Sequence, residues 1–397
     1  MTKLEKMLHY VSEHNEFYKK RIKEYGIKSP LDITQWPILT REDLQKNRYN
    51  MFSDGYMAMY LCHQLKTTTS SGTSGAPVNV YWDKVDYNGS MMSLWRKRKD
   101  WYGISPCDKK VEFTLSHINQ KNTNNSVICL ETEYQLLVNA ASLFSEEAYK
   151  SIIRRINDFK PKWLYIQPFI LEQLIYYYKK YDYIKPSSLI YIESVGEILT
   201  QQLRKDAVNF FKVPIANLYG SEEHNGIAYE CPHGNMHILD DNVYLEQNAV
   251  ITNINNHAFP LIRYNQGDVI KLSAREQCKC GTISSCVLSI EGRIRQSFEI
   301  DGIMVNTYML SEIVNIVNNQ FSGMIIQYSF CYSVSKRELE CYISICPENE
   351  NWVKNIALEI KKTIFERIPA SDKLSVSVIN RKREMYTNKV EILKITI

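Results

Sequence analysis

Thr67-Thr68-Thr69-Ser70-Ser71-Gly72-Thr73-Ser74-Gly75-Ala76-Pro77 is the most informative run of the chain. Its two glycines permit tight turns and close backbone approach to a ligand. The hydroxyls of Thr67 to Ser71, then of Thr73 and Ser74, add donors, and successive backbone N–H groups in such a loop form a concave anion site. A flexible Ser/Thr/Gly linker has the same composition, so both readings stand on these residues alone. A Walker loop is excluded, because the Gly-Lys-Ser/Thr ending is missing.

Outward from this loop the pattern is one of strands and helices in turn. The first 25 residues read as a helix with Leu4, Met7, Leu8 and Val11 on one side, and Thr40 reads as an N-cap. Helical spacing over 145–160 (Ala148, Ile152, Ile153, Ile156) is followed by a short strand, Trp163 to Ile166. Helix 169–180, strand Leu189 to Ile192, helix 199–211 and strand Ile215 to Leu218 come next. This alternation predicts βαβ units and a mostly parallel sheet. Ligands bind such sheets at the carboxyl ends of the strands, which points to the loops after Ile192 and Leu218. Beyond Gly292 the pattern becomes α+β. Two strands over 324–346 break at Lys336-Arg337-Glu338, a helix over 352–367 presents Trp352, Ile356, Ile360 and Ile364, and Ser375 to Val378 reads as a last strand.

The bulk properties fit a large domain plus a small one: 397 residues, 44% hydrophobic and 23% charged. A net charge of +4 gives no reason to expect nucleic acid as a partner. No run of ~18 apolar residues predicts a membrane span. Met1 to Tyr10 lacks signal-peptide features, so a cytoplasmic protein is expected, with its ten cysteines as thiols or metal ligands.

Three further stretches place acids where a nucleotide could use them. Leu218-Tyr219-Gly220-Ser221-Glu222-Glu223 puts a carboxylate after a strand and a Gly turn, where it could hold Mg²⁺ or be a solvated acidic turn. Pro260-Leu261-Ile262-Arg263-Tyr264-Asn265-Gln266-Gly267-Asp268 ends in an Asp that can accept hydrogen bonds from vicinal hydroxyls, although Gly-Asp alone is mostly a turn signal. Cys231-Pro232-His233-Gly234-Asn235-Met236-His237 and Cys278-Lys279-Cys280-Gly281 supply paired soft ligands sufficient for a tetrahedral Zn²⁺ site, or are free thiols.

The loop resembles the Ser/Thr-Ser-Gly-Thr-Thr/Ser-Gly-x-Pro phosphate loop of adenylate-forming enzymes. Together with the later stretches, in the same order along the chain, it resembles the phenylacetate-CoA ligase branch of that superfamily. The resemblance implies a large multi-layer α/β domain over 1–292 and a smaller, mobile α+β lid over 293–397. It implies ATP and Mg²⁺ as cofactors, a small and aromatic carboxylic acid as substrate, and CoA, an amine or a carrier-protein thiol as acceptor. It also allows a homodimer and a structural Zn²⁺. By position it gives phosphate binding to Ser70, Ser71, Gly72, Thr73, Ser74 and Gly75, and nucleotide contacts to Tyr219, Gly220, Ser221 and Arg293. Glu223 would take Mg²⁺ and Asp268 the ribose, while Lys389 in Tyr386-Thr387-Asn388-Lys389 would be the catalytic lysine. Cys231, His237, Cys278 and Cys280 would take zinc, with His233 or Cys286 as substitutes. Ser194-Val195-Gly196-Glu197 resembles a segment near the acyl pocket, which His117 and His224 could also line. Glu222, Arg295 and Gln296 depart from the family pattern, and a homologue that binds nucleotide without catalysis is the rival expectation.

Overall fold

The computed structural model describes the chain except for residues 70–77, 115–126, 128, 144–145, 294–296, 301–302, 322–323, 346, 369–373, 382–391 and 397. The chain divides into two compact units. One is Met1–Ser105 with Ala216–Ile290, and the other is Pro106–Ile215 with Glu291–Ile397. Compactness therefore divides the chain at three places, the last of them next to the change of pattern at Gly292.

In the first unit the amino-terminal segment forms two helices, Lys3–His14 and Glu16–Glu24, where the sequence suggested one. Asn15 separates them because its side chain accepts from the Tyr18 N–H and so starts the second helix. Thr2 and Glu5 close a capping box at the first helix, and Thr40 and Asp43 close another at Arg41–Lys46. These helices bury Met7, Leu8, Val11 and Tyr18 against Trp36, Tyr81, Trp82, Phe259 and Tyr264. The strands Ile215–Ser221, Asn225–Glu230 and Met236–Ile238 pair antiparallel in succession, followed by Cys286–Arg293 and Asp268–Leu272. Asn225–Glu230, Met236–Ile238 and Cys286–Arg293 lie beyond the 145–218 stretch whose alternation predicts parallel pairing, and they pair antiparallel. Hairpin connections of a few residues allow only antiparallel neighbours. A small sheet of Val243–Glu246, Val250–Asn253 and Tyr264–Asn265 lies beside it in sequence, and the hairpin Lys66–Thr69 with Asn79–Trp82 brackets the Ser/Gly-rich loop.

The second unit holds the parallel part. Lys110–Thr114 pairs parallel with Gln135–Asn139 and Trp163–Ile166, and the latter pairs parallel with Tyr191–Val195. The last strand begins two residues later than its sequence pattern suggested, because Leu189 and Ile190 form the approach to it. Helices Glu146–Phe159, Pro168–Lys180 and Gln201–Phe211 are the crossovers. Ile152, Ile156, Leu171, Leu174 and Leu203 bury their faces in the core.

The carboxyl-terminal part of this unit is a sheet ordered Ser375–Asn380, Glu338–Ile345, Ile325–Ser333, Leu393–Thr396, with helices Thr307–Gln320 and Val353–Arg367. Ile356, Ile360 and Ile364 recur every four residues and are fully buried, each contributing roughly 1.5–3 kcal/mol. Trp352, expected on that face, precedes the helix and is 47% exposed. The strand Leu393–Thr396 adds a member beyond the one expected to be last. It pairs parallel with Ile325–Ser333 and buries Leu393 in the same core. Gln173 Nε2 of the helix Pro168–Lys180 donates to the Ile325 carbonyl at 3.0 Å, tying this part to the parallel half. Among the described residues no helix is long and apolar enough to cross a membrane.

Candidate active site

The strand Ile215–Ser221 ends in an acidic turn whose shape is forced by close packing. A Cβ on Gly220 would stand 2.5 Å from the Asn225 carbonyl oxygen, so no other residue fits there. Asn225 is left-handed, at φ 59°, and its side-chain amide donates to Ser90 Oγ at 2.8 Å. Two further side chains fix the turn. Thr68 Oγ1 donates to the Glu222 carbonyl at 2.6 Å, and Asn242 Nδ2 donates to the His224 and Gly226 carbonyls at 2.8 and 2.7 Å. The Thr68 contact ties the strand entering the Ser/Gly-rich loop to the acidic turn, two stretches 154 residues apart in sequence.

Tyr219 and Asp268 meet here as well. The Tyr219 hydroxyl donates to Asp268 Oδ2 at 2.7 Å, and Gln266 Nε2 donates to the same oxygen at 2.9 Å. The Asp268 turn is made by Gly267 at φ 85°, with the Asn265 side chain accepting from the Gly267 N–H at 2.9 Å. Tyr18 holds the approach to that turn, donating to the Pro260 carbonyl and accepting from the Ile262 N–H. Glu223 is buried, 4% exposed. Glu222 keeps some exposure, yet lost hydration pushes its carboxyl pKa up. The charge of Glu223 adds to the rise, and Lys66 opposes it. Two crowded carboxylates are the electrostatic setting a divalent cation relieves. His224 is wholly buried, and desolvation pulls its pKa down to about 3, so the ring is neutral. Among the described residues, Ser221 Oγ, Gln266 Oε1 and both His224 ring nitrogens have no hydrogen-bond partner.

The fold as a whole has close counterparts among solved structures. It matches 2-hydroxyisobutyryl-CoA ligase, solved in the postadenylation state with 2-HIB-AMP, at TM-score 0.73 and 14% identity, covering 99% of this chain and 88% of that one. The chain has the adenylate-forming superfamily fold. O-succinylbenzoate coenzyme A synthetase from Bacillus subtilis, solved with ATP and magnesium ion, matches at TM-score 0.52 and 14% identity over 82% of this chain and 68% of that one. The GH3.15 acyl acid amido synthetase matches at 0.55 and 12% identity over 95% and 85%. No protein-family model and no curated protein matches the chain.

Within this adenylate-forming fold the first unit carries a second cluster. The ligand atoms of Cys231, His237, Cys278 and Cys280 all lie within 4.8 Å of one another. Cys231 Sγ is 3.9 Å from Cys278 Sγ, and Cys280 Sγ is 3.3 Å from His237 Nε2. Zn–S bonds of about 2.3 Å in a tetrahedron give S···S edges near ~3.8 Å, so the donor set fits zinc. Cys231 and Cys278 each open a turn closed by a glycine: Gly234 N–H donates to the Cys231 carbonyl and Gly281 N–H to the Cys278 carbonyl, both at 2.9 Å. The other nitrogen, His237 Nδ1, is 2.7 Å from Ser284 Oγ, which sets the ring with Nε2 toward the cysteines. Desolvation pushes the Cys231 thiol up to about 12, while N–H donation from Cys280, with further hydrogen bonds, lowers that of Cys278. Of the two alternative ligands, His233 is exposed and outside the cluster, and Cys286 Sγ lies 3.4 Å from Nδ1, away from the Nε2 side.

Ser70, Ser71, Gly72, Thr73, Ser74, Gly75, His117, Arg295, Gln296 and Lys389 lie outside the described residues. Arg293 closes the strand Cys286–Arg293. Glu197 has a local role: its carboxylate accepts from the Phe169 N–H at 3.3 Å, at the start of the helix Pro168–Lys180. The sequence marks Thr68 only as one of several hydroxyl donors and singles out neither Asn242 nor Ser284. The only visible trace was the run of asparagines at 253, 255 and 256, which forms part of the same polar frame.

Proposed function

We propose that the chain activates a small carboxylic acid with Mg·ATP as an acyl-adenylate and passes the acyl group to CoA, as a phenylacetate-CoA ligase-like enzyme with an aromatic substrate. The observation that carries this reading is the meeting of Tyr219 and Asp268, 49 residues apart, beside the Glu223 turn. In the first half-reaction a substrate carboxylate oxygen attacks the α-phosphorus and pyrophosphate leaves. In the second, the acceptor thiol attacks the acyl carbon and AMP leaves. The chain contributes positioning and charge stabilisation. Ser70, Ser71, Gly72, Thr73, Ser74 and Gly75 cradle the phosphates. Asp268 accepts from the ribose hydroxyls, while Tyr219, Gly220, Ser221 and Arg293 line the nucleotide. Glu223 would hold Mg²⁺, which offsets phosphate charge, and Lys389 would stabilise the charge developing at the α-phosphate. Cys231, His237, Cys278 and Cys280 would hold a structural Zn²⁺. Residues 293–397 form the lid in this reading, and an amine or carrier-protein thiol is the alternative acceptor.

The test is ATP–pyrophosphate exchange with Mg²⁺ across a panel of aryl and aliphatic acids. Acid-dependent exchange is expected, strongest with aryl acids. Thioester formation with CoA, compared with hydroxamate formation from hydroxylamine, then separates the acceptors. ATP binding without exchange for any acid would overturn the reading in favour of a nucleotide-binding homologue impaired by Glu222.

A further inference from the structure

The acidic turn carries the Glu223 carboxylate, so whatever holds the turn sets where that carboxylate points. The turn tips the strand pair closed by Ser221 and Asn225, and within it the His224 N–H reaches the Ser221 carbonyl at 3.3 Å. Three other elements among the described residues anchor it as well. Thr68 takes the Glu222 carbonyl, Ser90 takes the Asn225 side chain, and Asn242 takes the carbonyls of both His224 and Gly226. Asn242 is the most committed of the three. It is fully buried, both hydrogens of its amide have a carbonyl acceptor, and its Oδ1 accepts from Asn255 Nδ2 at 2.9 Å. Its backbone is held as well, the N–H donating to the Leu239 carbonyl at 2.7 Å and the carbonyl accepting from the Ile254 N–H at 3.1 Å. A side chain fixed at every polar atom cannot rotate to follow a moving turn, so the turn must follow it.

Resting on the reading of Glu223 as the Mg²⁺ ligand, we infer that Asn242 is a positioning residue that sets the Glu223 carboxylate for the metal–nucleotide complex. It acts through the carbonyls of His224 and Gly226 and touches neither metal nor nucleotide. Replacing its amide by a carboxylate of the same shape keeps the bond from Asn255. It also removes both donors and sets an acceptor against two carbonyls, so the turn is pushed outward with little change in volume.

The experiment is Mn²⁺ binding to the full chain in the presence of ATP, followed by electron paramagnetic resonance. ATP binding in EDTA and thermal unfolding are measured alongside. Asn242→Asp and Asn242→Ala should each raise the Mn²⁺ half-saturation about tenfold, with metal-free ATP binding within about twofold of the wild type. Asn255→Ala, which leaves both carbonyl contacts in place, should raise it about two- to threefold and serves if the Asn242 variants do not fold. A merely structural role would lower the melting temperature and leave the half-saturation of the folded fraction alone. Folded Asn242 variants, or a folded Asn255→Ala if those fail, with wild-type Mn²⁺ affinity would overturn the inference while the proposed function stands. A wild-type chain that binds ATP but no Mn²⁺ with it would overturn both.

Discussion

The two polar clusters of the first unit are built on opposite terms. In the Cys/His cluster the local hydrogen-bonding groups are engaged: the knuckle carbonyls with Gly234 and Gly281, Cys278 Sγ with Asn235, and the distal nitrogen of His237 with Ser284. At the acidic turn and the adjoining Asp268 turn the backbone is equally well held, yet Ser221 Oγ, Gln266 Oε1 and both His224 nitrogens are buried without partners among the described residues. A closed donor set is what a structural metal requires, whereas groups left unsatisfied in a held backbone are what a ligand-binding site requires. Rigidity is common to both clusters, and satisfaction of the side chains is what separates them.

The largest test of that contrast is removal of the metal side. Purified protein should carry about one equivalent of zinc by elemental analysis, and Cys278→Ser should lose it. Loss of a structural zinc should cost about 5 kcal/mol or more, lowering the melting temperature by ~10 °C or more. Metal-free protein that melts with the metal-loaded form would break the comparison at its stable end. The complementary change is Glu223→Gln. It should depress acid-dependent pyrophosphate exchange by about 100-fold or more while moving the melting temperature by no more than ~2 °C. A variant that loses stability in proportion to activity would place Glu223 with the structural groups.

A smaller effect sharpens the electrostatics of the open cluster. Lost hydration raises the Glu222 pKa, the charge of Glu223 adds to the rise, and Lys66 works against it. Lys66→Met should therefore slow exchange about tenfold in the natural chain and much less in a Glu222→Ser background. That corresponds to a coupling of roughly 1 kcal/mol in a double-mutant cycle. Additive effects would mean that Lys66 does not serve the extra carboxylate.

How much of this was legible in the sequence follows from how local each feature is. The helices over 169–180 and 199–211 and the strand Trp163–Ile166 are set by local periodicity, and they stand where that periodicity puts them. The sequence also suggested that Cys231, His237, Cys278 and Cys280 would come together, with His233 and Cys286 left open as substitutes, and the four ligand atoms do lie within 4.8 Å of one another. The antiparallel half was not. Asn225–Glu230 and Met236–Ile238 are short and buried on both faces, so they show no alternation, and pairing direction depends on turn length more than composition. Asn242 and Thr68 were illegible for a related reason. A single Asn or Thr acquires meaning only when a carbonyl from a distant stretch arrives beside it. For Thr68 that carbonyl belongs to Glu222, 154 residues away.

A further effect concerns the cost of the open cluster, and it can be read from pH alone. His224 is fully buried, and its pKa falls to about 3 from an ordinary value near 6.5 because the charged ring cannot be hydrated there. Above about pH 6.5 the ring is neutral in both folded and unfolded chains, so its protonation costs the fold nothing. As pH falls below that, the unfolded chain takes up a proton that the folded chain refuses, and stability drops progressively until the folded pKa is reached. By pH 5 the loss from this one group should be about 2 kcal/mol. His224→Met keeps an apolar body and removes the proton. Its unfolding free energy relative to the natural chain should therefore improve as pH is lowered from 7 to 5. Urea unfolding at the two pH values measures that difference, and a gap independent of pH would show that the ring is charged or hydrated in the folded protein. A gap that widens on the acid side would mean that the fold keeps, beside its acidic turn, a polar ring it neither charges nor satisfies, as expected where ligand binding has shaped the interior more than stability has.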